Sequence, residues 1–271
     1  MKSINLIKQR YNYSIILLKE LVVTDFKLRY KGSVLGYLWS LLRPLAIFLV
    51  LYIVFVKFLK LGTSVPHFAI YLLLGIVLWN FFVEITTGSV SAIVGKGDLL
   101  RKINFPKYVI IIATSIAALI NLVINFIIII IFMLLFGANP SWMALLFIPL
   151  LIIELLILGL AFGFLLSASF VRYRDIGYIW EVIIQAAFYA TPILYPIAMI
   201  PLIAQKISLL NPMAQIIQDA RYYLVTPETT TSESLGSNFL ISILPILFVI
   251  VLFVVGALYF RKNSKNFAED V

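Results

Sequence analysis

Long apolar runs without charge are the feature that most limits what this chain can fold into. Residues 108–136 contain no Asp, Glu, Lys or Arg at all. A helix needs about 20 predominantly apolar residues to cross the hydrocarbon core of a bilayer. Comparable runs recur along the sequence, separated by short charged segments. The pattern predicts an all-α, polytopic integral membrane protein.

Six membrane spans are predicted from these runs. They cover about 37–58, 68–93, 108–136, 142–170, 177 to the break at Thr191-Pro192, and 239–260. Composition agrees, because 63% of the residues are hydrophobic and only 12% are charged, where a soluble protein has about 25% charged residues. No segment is long and polar enough to fold as a separate soluble domain. We therefore expect one membrane domain over residues 1–271.

The basic residues indicate the orientation of the chain. With both termini in the cytoplasm, all but four of the 21 lysines and arginines lie on the cytoplasmic side, as the positive-inside rule requires. The four exceptions are Lys57, Lys60, Lys206 and Arg221. Because the basic charges fall in short segments between spans, the net charge of +9 does not indicate a nucleic-acid-binding surface.

Residues 1–31 are predicted to form an amphipathic helix on the cytoplasmic face of the membrane. At helical spacing, Glu20 and Lys27 fall on one charged stripe with apolar residues roughly opposite. Asp25 and Arg29 lie toward the apolar side instead. At i,i+4 spacing this pair either neutralises itself or contacts a partner or a neighbouring loop.

Residues 201–225 are predicted to form two short amphipathic helices on either side of Asn211-Pro212. Their apolar runs are too short for another span. The two helices either lie on the membrane surface or dip into the membrane and return, and in the second case protein or water must surround the irregular backbone.

The sequence argues against an enzyme. No phosphate-binding loop is present, since Gly95-Lys96-Gly97 is too short and lacks the strand-loop-helix context. Neither a nucleophile elbow nor a zinc-protease motif occurs. With His67 as the single histidine and no cysteine, disulfides, thiolate metal sites and a histidine-based triad are excluded. We expect no catalytic residue, metal or cofactor in this chain.

Three carboxylates lie in or near the predicted spans. Ionisable groups in a bilayer are costly and often mark a transport path. Glu84 and Glu154 are either part of such a path or hydrogen-bonded structural residues, whereas Glu181 is expected near the cytoplasmic interface. A proton relay would need a denser set paired with cations. A proton-coupled secondary transporter is therefore kept only as an alternative.

The segment 95–107 is the most charged one between the predicted spans. Gly95 and Gly97 interrupt the preceding helix, and Leu99 to Ile103 can form one or two helical turns. A short helix of mixed charge with exposed Leu and Phe side chains is what a membrane domain offers to a soluble partner. The alternative is a solvated loop that merely obeys the positive-inside rule.

Four motifs carry a resemblance to a known family. They are DFKLRY at 25–30 followed by Leu35-Gly36, Trp39 and Pro44; RKINFP at 101–106; TPILYP at 191–196; and Asn211-Pro212. In this order, over essentially the whole chain, they resemble the ABC-2 type permeases that export polysaccharides such as O-antigen, capsule and teichoic acid.

The resemblance implies half of an ATP-driven exporter. Such a chain has six spans and forms a homodimer with two copies of a separate ABC ATPase, which binds ATP and Mg²⁺. It moves a lipid-linked polysaccharide across the cytoplasmic membrane of a bacterium, with both termini in the cytoplasm. Within the same family, the alternative is a permease for a drug or another lipid.

The resemblance also assigns roles to residues. The helix of residues 1–31 would contact the ATPase through Asp25, Lys27, Arg29 and Tyr30. The segment 95–107 would couple to the ATPase through Lys96, Asp98, Leu99, Arg101, Lys102, Asn104, Phe105 and Pro106. The half-helices in 201–225 would dip in from the outer side as an exit gate. Aromatic residues of the dimer interface would line the channel, but no motif identifies them individually. The channel and gate candidates named from the residues themselves are Trp79, Phe82, Tyr189, Pro192, Tyr195, Pro196, Asn211 and Pro212. For the aromatic ones the alternative is the interfacial belt, where such rings settle in any membrane protein.

A lipid-linked substrate that enters from the cytoplasmic leaflet carries a diphosphate and needs cationic partners there. Lys31 and Arg43 are the candidates for this contact, with Lys27 and Arg29 close by in sequence. Their alternative role is to anchor the chain to lipid headgroups.

Overall fold

The computed structural model describes residues 14–25, 27, 32–33, 35–60, 65–236 and 239–267. All the regular secondary structure in these residues is helical. In chain order the helices are α1 (14–25), α2 (Trp39–Tyr52, continued by a π-helical turn Ile53–Phe58), α3 (Phe68–Val90), α4 (Gly97–Lys102), α5 (Tyr108–Phe136), α6 (Ala144–Arg172), α7 (Ile176–Ala190), α8 (Leu202–Leu209), α9 (Pro212–Leu224) and α10 (Phe239–Asn263).

Among the described residues, five helices are long and apolar enough to cross a membrane. They are α2 with its π-helical turn, α3, α5, α6 and the part of α10 from Ile243 to Asn263. The predicted fifth span is the apolar helix α7, which has only 15 residues. At 1.5 Å per residue it is about 22 Å long, shorter than the roughly 30 Å hydrocarbon core. It ends because Thr191 precedes Pro192 and is extended, with φ −85° and ψ 138°.

Helix α3 lies at the centre of the fold. It packs against α2, α5, α6, α7 and α9. Of the residues in its most apolar 18-residue stretch, 83% are buried within the protein. Most of its residues are apolar and they are spread around the helix, which is typical of a helix surrounded by others, although Asn80, Glu84 and Thr87 are polar. By contrast, only 11% of the residues in the corresponding stretch of α2 and its π-helical turn are buried, so α2 presents most of its surface to the surroundings.

Helices α6 and α10 pack most closely at Gly256. A Cβ atom added there would lie 2.6 Å from the main-chain oxygen of Ala161. Glycine is required at this position because any side chain would push the two backbones apart. Small residues at such crossings are a common basis of helix packing in membranes, where lipid supplies no hydrophobic driving force between helices.

A second apolar core joins the elements around α4 and is called the α4 cluster below. Its buried members include Leu21 of α1, Leu100 of α4, Phe105, Val109 of α5, Val171 of α6, Phe260 of α10 and Phe267. The cluster connects the beginning of the described chain to its end.

Candidate functional site

The segment predicted to couple to an ATPase is a short helix with its charges on the outside. Helix α4 follows a 3-10 turn, Val94–Lys96, and carries Asp98 in its first turn and Arg101 and Lys102 in its last. This order complements the helix dipole. All three charged side chains are exposed, as are Asn104 and Pro106.

The apolar side chains of this segment face inward. Leu100 and Phe105 are buried in the α4 cluster, with 6% and 5% of their surface exposed, and Leu99 is half-buried. The prediction of an exposed Phe at this segment is therefore wrong. Burial of the Phe105 ring removes a large apolar surface from water, so only the charged side of α4 remains for a partner.

An ion pair ties α4 to the N-terminal helix. Lys96 Nζ donates to Asp25 Oδ2 at 2.6 Å, and both side chains are mostly buried. A contact of Asp25 with a neighbouring loop is one of the alternatives considered for it, and the structure contains this contact. Lys27 is exposed. Arg29, Tyr30 and Lys31 lie outside the described residues.

Arg221 holds the break after α7. Its guanidinium donates to three main-chain oxygens: Nε to Tyr71 at 3.0 Å, Nη1 to Pro192 at 2.7 Å and Nη2 to Ile193 at 2.8 Å. Nη1 also donates to Oε1 of Gln218 at 2.8 Å, and the group lies 3.5 Å from the centre of the Tyr71 ring. One side chain thus joins α9, α3 and the segment that follows α7.

The Arg221 side chain is fully buried. Burial lowers the pKa of Arg221 to about 10, so the guanidinium remains charged at neutral pH. Gly75 makes room for it, because an added Cβ would lie 2.6 Å from Nη2. From the sequence, Arg221 is predicted only as an outer-side charge, because no local motif links it to Tyr71, 150 residues away.

Helices α8 and α9 differ in burial. Asn211 caps α9 through Oδ1, which accepts from the amide of Met213 at 3.0 Å, and Pro212 occupies the first turn. Helix α9 is largely buried, whereas α8 buries only Leu209. On α9, burial raises the pKa of Asp219 to about 6, although a hydrogen bond from Gln215 opposes that shift.

The aromatic channel candidates fall into two groups. Trp79 and Phe82 are buried in a cluster of rings with Phe162, Trp180 and Phe188. Both rings therefore pack the interior of this chain. Tyr189 is 69% exposed and Tyr195 is half-buried beside buried Pro192 and Pro196, so these two tyrosines reach the surface.

The three carboxylates differ in their surroundings. Glu84 accepts from Nδ2 of Asn121 at 2.7 Å, which is the structural role considered for it. Oε1 of Glu154 is buried and has no hydrogen-bond partner within the described part of the chain. Glu181 is exposed and lines a cavity with Arg174 and Tyr178.

No group of three or more acidic or histidine side chains suited to a metal ion occurs in the part of the chain that the structure describes.

Comparisons with known proteins agree on one family. A family model described as "ABC-2 type transporter" matches residues 16–225. The chain is 29% identical over 270 residues to the O-antigen export system permease protein RfbA of Myxococcus xanthus, covering 99% of this chain and 100% of that protein. It is 30% identical over 265 residues to a protein of the same name from Klebsiella pneumoniae, covering 97% and 98%.

Proposed function

The chain belongs to the ABC-2 type transporter family, and on that premise we propose that it is the transmembrane subunit of an ATP-driven exporter of a lipid-linked polysaccharide. The relatives named as O-antigen export permeases, which align over nearly their full lengths, support a substrate of this class. They do not favour a drug permease or a proton-coupled transporter.

The proposed arrangement in the membrane has six spans, with α7 as the fifth and both termini in the cytoplasm. The charge distribution supports this orientation, and the multi-pass character rests on the five long apolar helices. The membrane is the cytoplasmic membrane of a bacterium. Two copies of the chain form the channel and bind two copies of an ABC ATPase, which carries the ATP and Mg²⁺ sites.

The observation that carries the coupling role is the two-sided character of α4. Its charged side is exposed, while Leu100 and the following Phe105 are buried in the α4 cluster. A partner that holds the charged side and moves it would pull on α1, α5, α6 and α10 through that cluster. The ion pair between Lys96 and Asp25 would make α1 move together with α4.

The segment after α7 is the proposed exit. Helix α7 is shorter than the hydrocarbon core, the segment after it completes the fifth crossing, and α8 and α9 follow as half-helices that dip in from the outer side. Tyr189 and Tyr195 offer rings on which apolar sugar faces stack. Arg43, at the exposed start of α2, is the described candidate for the lipid diphosphate, and Lys31 is kept as a second candidate.

Charge reversal on α4 tests the coupling role. Arg101→Glu combined with Lys102→Glu should reduce polysaccharide-stimulated ATP hydrolysis by the purified complex at least tenfold, because the introduced carboxylates would repel the acidic ATPase surface that the two cations attract. The matched control is Arg261→Glu with Lys262→Glu, since these two cations are exposed in the last turn of α10. Unchanged stimulation in the α4 variant would disprove the role of α4.

The energy source separates the remaining alternatives. In inverted membrane vesicles, export should stop when the ATPase is inactivated and should continue when the proton gradient is dissipated at constant ATP. The opposite pattern would identify a proton-coupled transporter.

A further inference from the structure

A polar cavity lies among three of the long apolar helices, α2, α3 and α5. Its volume is about 420 Å³, within the range of about 300–1,000 Å³ typical of small-molecule sites. Its polar lining residues are Ser40, Arg43, Asn80, Glu84, Thr87, Asn121 and Asn125. Polar side chains between spanning helices are costly and usually functional, so this set requires an explanation.

Two asparagines leave their oxygens without a donor. Nδ2 of Asn121 donates to Glu84, and Nδ2 of Asn125 donates to the main-chain oxygens of Asn121 at 2.8 Å and Ser40 at 3.3 Å. Because these partners accept hydrogen bonds, neither amide can be turned around. Oδ1 of both residues is then buried without a partner among the residues that the structure describes, and each side chain is more than nine-tenths buried.

Thr87 adds a further acceptor. Its hydroxyl donates to the main-chain oxygen of Val83 at 2.6 Å, which leaves its lone pairs for a donor from the cavity. Together with the two amide oxygens, Thr87 gives this part of the wall three acceptors. Hydroxyl groups of a sugar are donors of the matching kind, and a buried acceptor left unpaired is destabilising.

The exposed side of the cavity has a different chemistry. Arg43 supplies a cation and Trp39, which is 51% exposed, supplies a flat aromatic ring. Arginine recognises phosphate through paired hydrogen bonds, and an apolar sugar face can lie against the indole. An anionic group at Arg43 would thus place an attached sugar next to Thr87, Asn121 and Asn125.

We propose that this cavity binds a sugar phosphate, with the phosphate at Arg43 and the sugar hydroxyls at Thr87, Asn121 and Asn125. The proposal rests on the proposed function in one respect, since a lipid-linked polysaccharide carries this chemistry at its lipid end. The site would hold that end within one chain while the polymer is exported.

Binding of defined probes to the complete permease–ATPase complex in nanodiscs tests the site, with native mass spectrometry as the readout. The probes are a polyprenyl diphosphate carrying one hexose, the same lipid diphosphate without sugar, a polyprenol and free hexose 1-phosphate. Stronger binding of the first probe than of the free sugar phosphate identifies the lipid-linked form as the source. The reverse order identifies a soluble sugar phosphate. Either order supports the site.

Two variants separate the halves of the site. Arg43→Gln should weaken both lipid diphosphates about tenfold through loss of a charge-assisted bond, and Thr87→Val should weaken only the sugar-bearing probe, about fivefold. The matched controls should change nothing. Thr86→Val removes a hydroxyl that also bonds within α3 but is outside the cavity, and Lys57→Gln removes a cation from the far end of the same span.

Three results would overturn the site. The first is wild-type affinity for the probes in both cavity variants. The second is an equal loss of affinity in Thr86→Val and Thr87→Val. The third is a wild-type complex that binds none of the phosphate probes, which would mean that the cavity holds only water. If that complex still exports polysaccharide, the proposed function survives without the site. A complex that binds the hexose-bearing lipid but exports nothing would instead contradict the proposed function.

Discussion

The side chain of Arg221 makes several of the tertiary contacts between helices. Its partners are three main-chain oxygens, one amide oxygen and a tyrosine ring, contributed by α3, α9 and the segment after α7. Main-chain acceptors at a helix break have no substitute donors nearby when protein or lipid excludes water. The residue therefore provides donors for main-chain oxygens just after the helix break at Pro192.

Replacing Arg221 should destabilise the chain strongly. In Arg221→Met three main-chain oxygens lose this donor, while Oε1 of Gln218 keeps the Tyr71 hydroxyl, and each acceptor left unsatisfied costs about 1–3 kcal/mol. The expected result is a large fall in the thermal unfolding temperature in detergent. Arg221→Lys should recover only part of this loss, because an ammonium has three donors but lacks the planar geometry of the guanidinium.

Lys206→Met is the control for Arg221, because Lys206 is an exposed cation on the neighbouring half-helix α8. Equal unfolding temperatures for the Met variants at 206 and 221 would show that the hydrogen bonds of Arg221 contribute no stability.

The ion pair between Asp25 and Lys96 is expected to contribute less stability than the hydrogen bonds of Arg221. Each side chain keeps a fraction of its surface in solvent, 25% for Asp25 and 20% for Lys96, so solvent screens the attraction. A double-mutant cycle with Asp25→Asn and Lys96→Gln should give a coupling free energy of about 0.5–1 kcal/mol, measured from chemical unfolding. Additive effects of the two substitutions would mean that the contact does not stabilise the joint between α1 and α4.

At the scale of elements, local sequence signals predicted helix α9 well. Asn211 and Pro212 are a helix-start signature, and the structure places them at the N-cap and in the first turn. The start and end of α5 were also predicted, because its apolar run is bounded by Lys107 and Gly137. Interior contacts were not predictable, since burial of Phe105 depends on α1 and α10, far away in sequence.

The cap of α9 can be tested separately from its tertiary contacts. Asn211→Ala removes the acceptor for the Met213 amide and should cost about 1 kcal/mol, whereas Asn211→Ser should cost a few tenths at most. Hydrogen exchange at the amides of residues 213–215 and the unfolding free energy measure the effect. Equal protection in the Ala and Ser variants would argue that the side-chain cap is dispensable.

At the scale of the whole molecule, the orientation is open to a direct test. The chain contains no cysteine, so single cysteines report position without background. In intact spheroplasts an impermeant maleimide should label Ser141→Cys and Glu233→Cys but should not label Asp98→Cys or Lys265→Cys until the membrane is opened. These four positions are exposed in the structure. Labelling of Lys265→Cys in intact cells would contradict a cytoplasmic C-terminus.

Apolar runs and charge bias were sufficient to predict the membrane-protein class and the positions of the long helices. The polar cavity was not predictable, because Ser40, Glu84 and Asn125 come from three helices and form no motif in sequence. Arg43 was singled out as a lone cation, and only the fold places it beside the unpaired amide oxygens. A site built from several helices can be predicted only when it is known which helix faces meet.

The bonds of Arg221 to the oxygens of Pro192 and Ile193 also constrain how the chain is made. The donor lies 29 and 28 residues after its acceptors, so a nascent chain that has just exposed α7 to the insertion machinery cannot yet satisfy them. The break after α7 can therefore be closed by these bonds only after α9 has been translated.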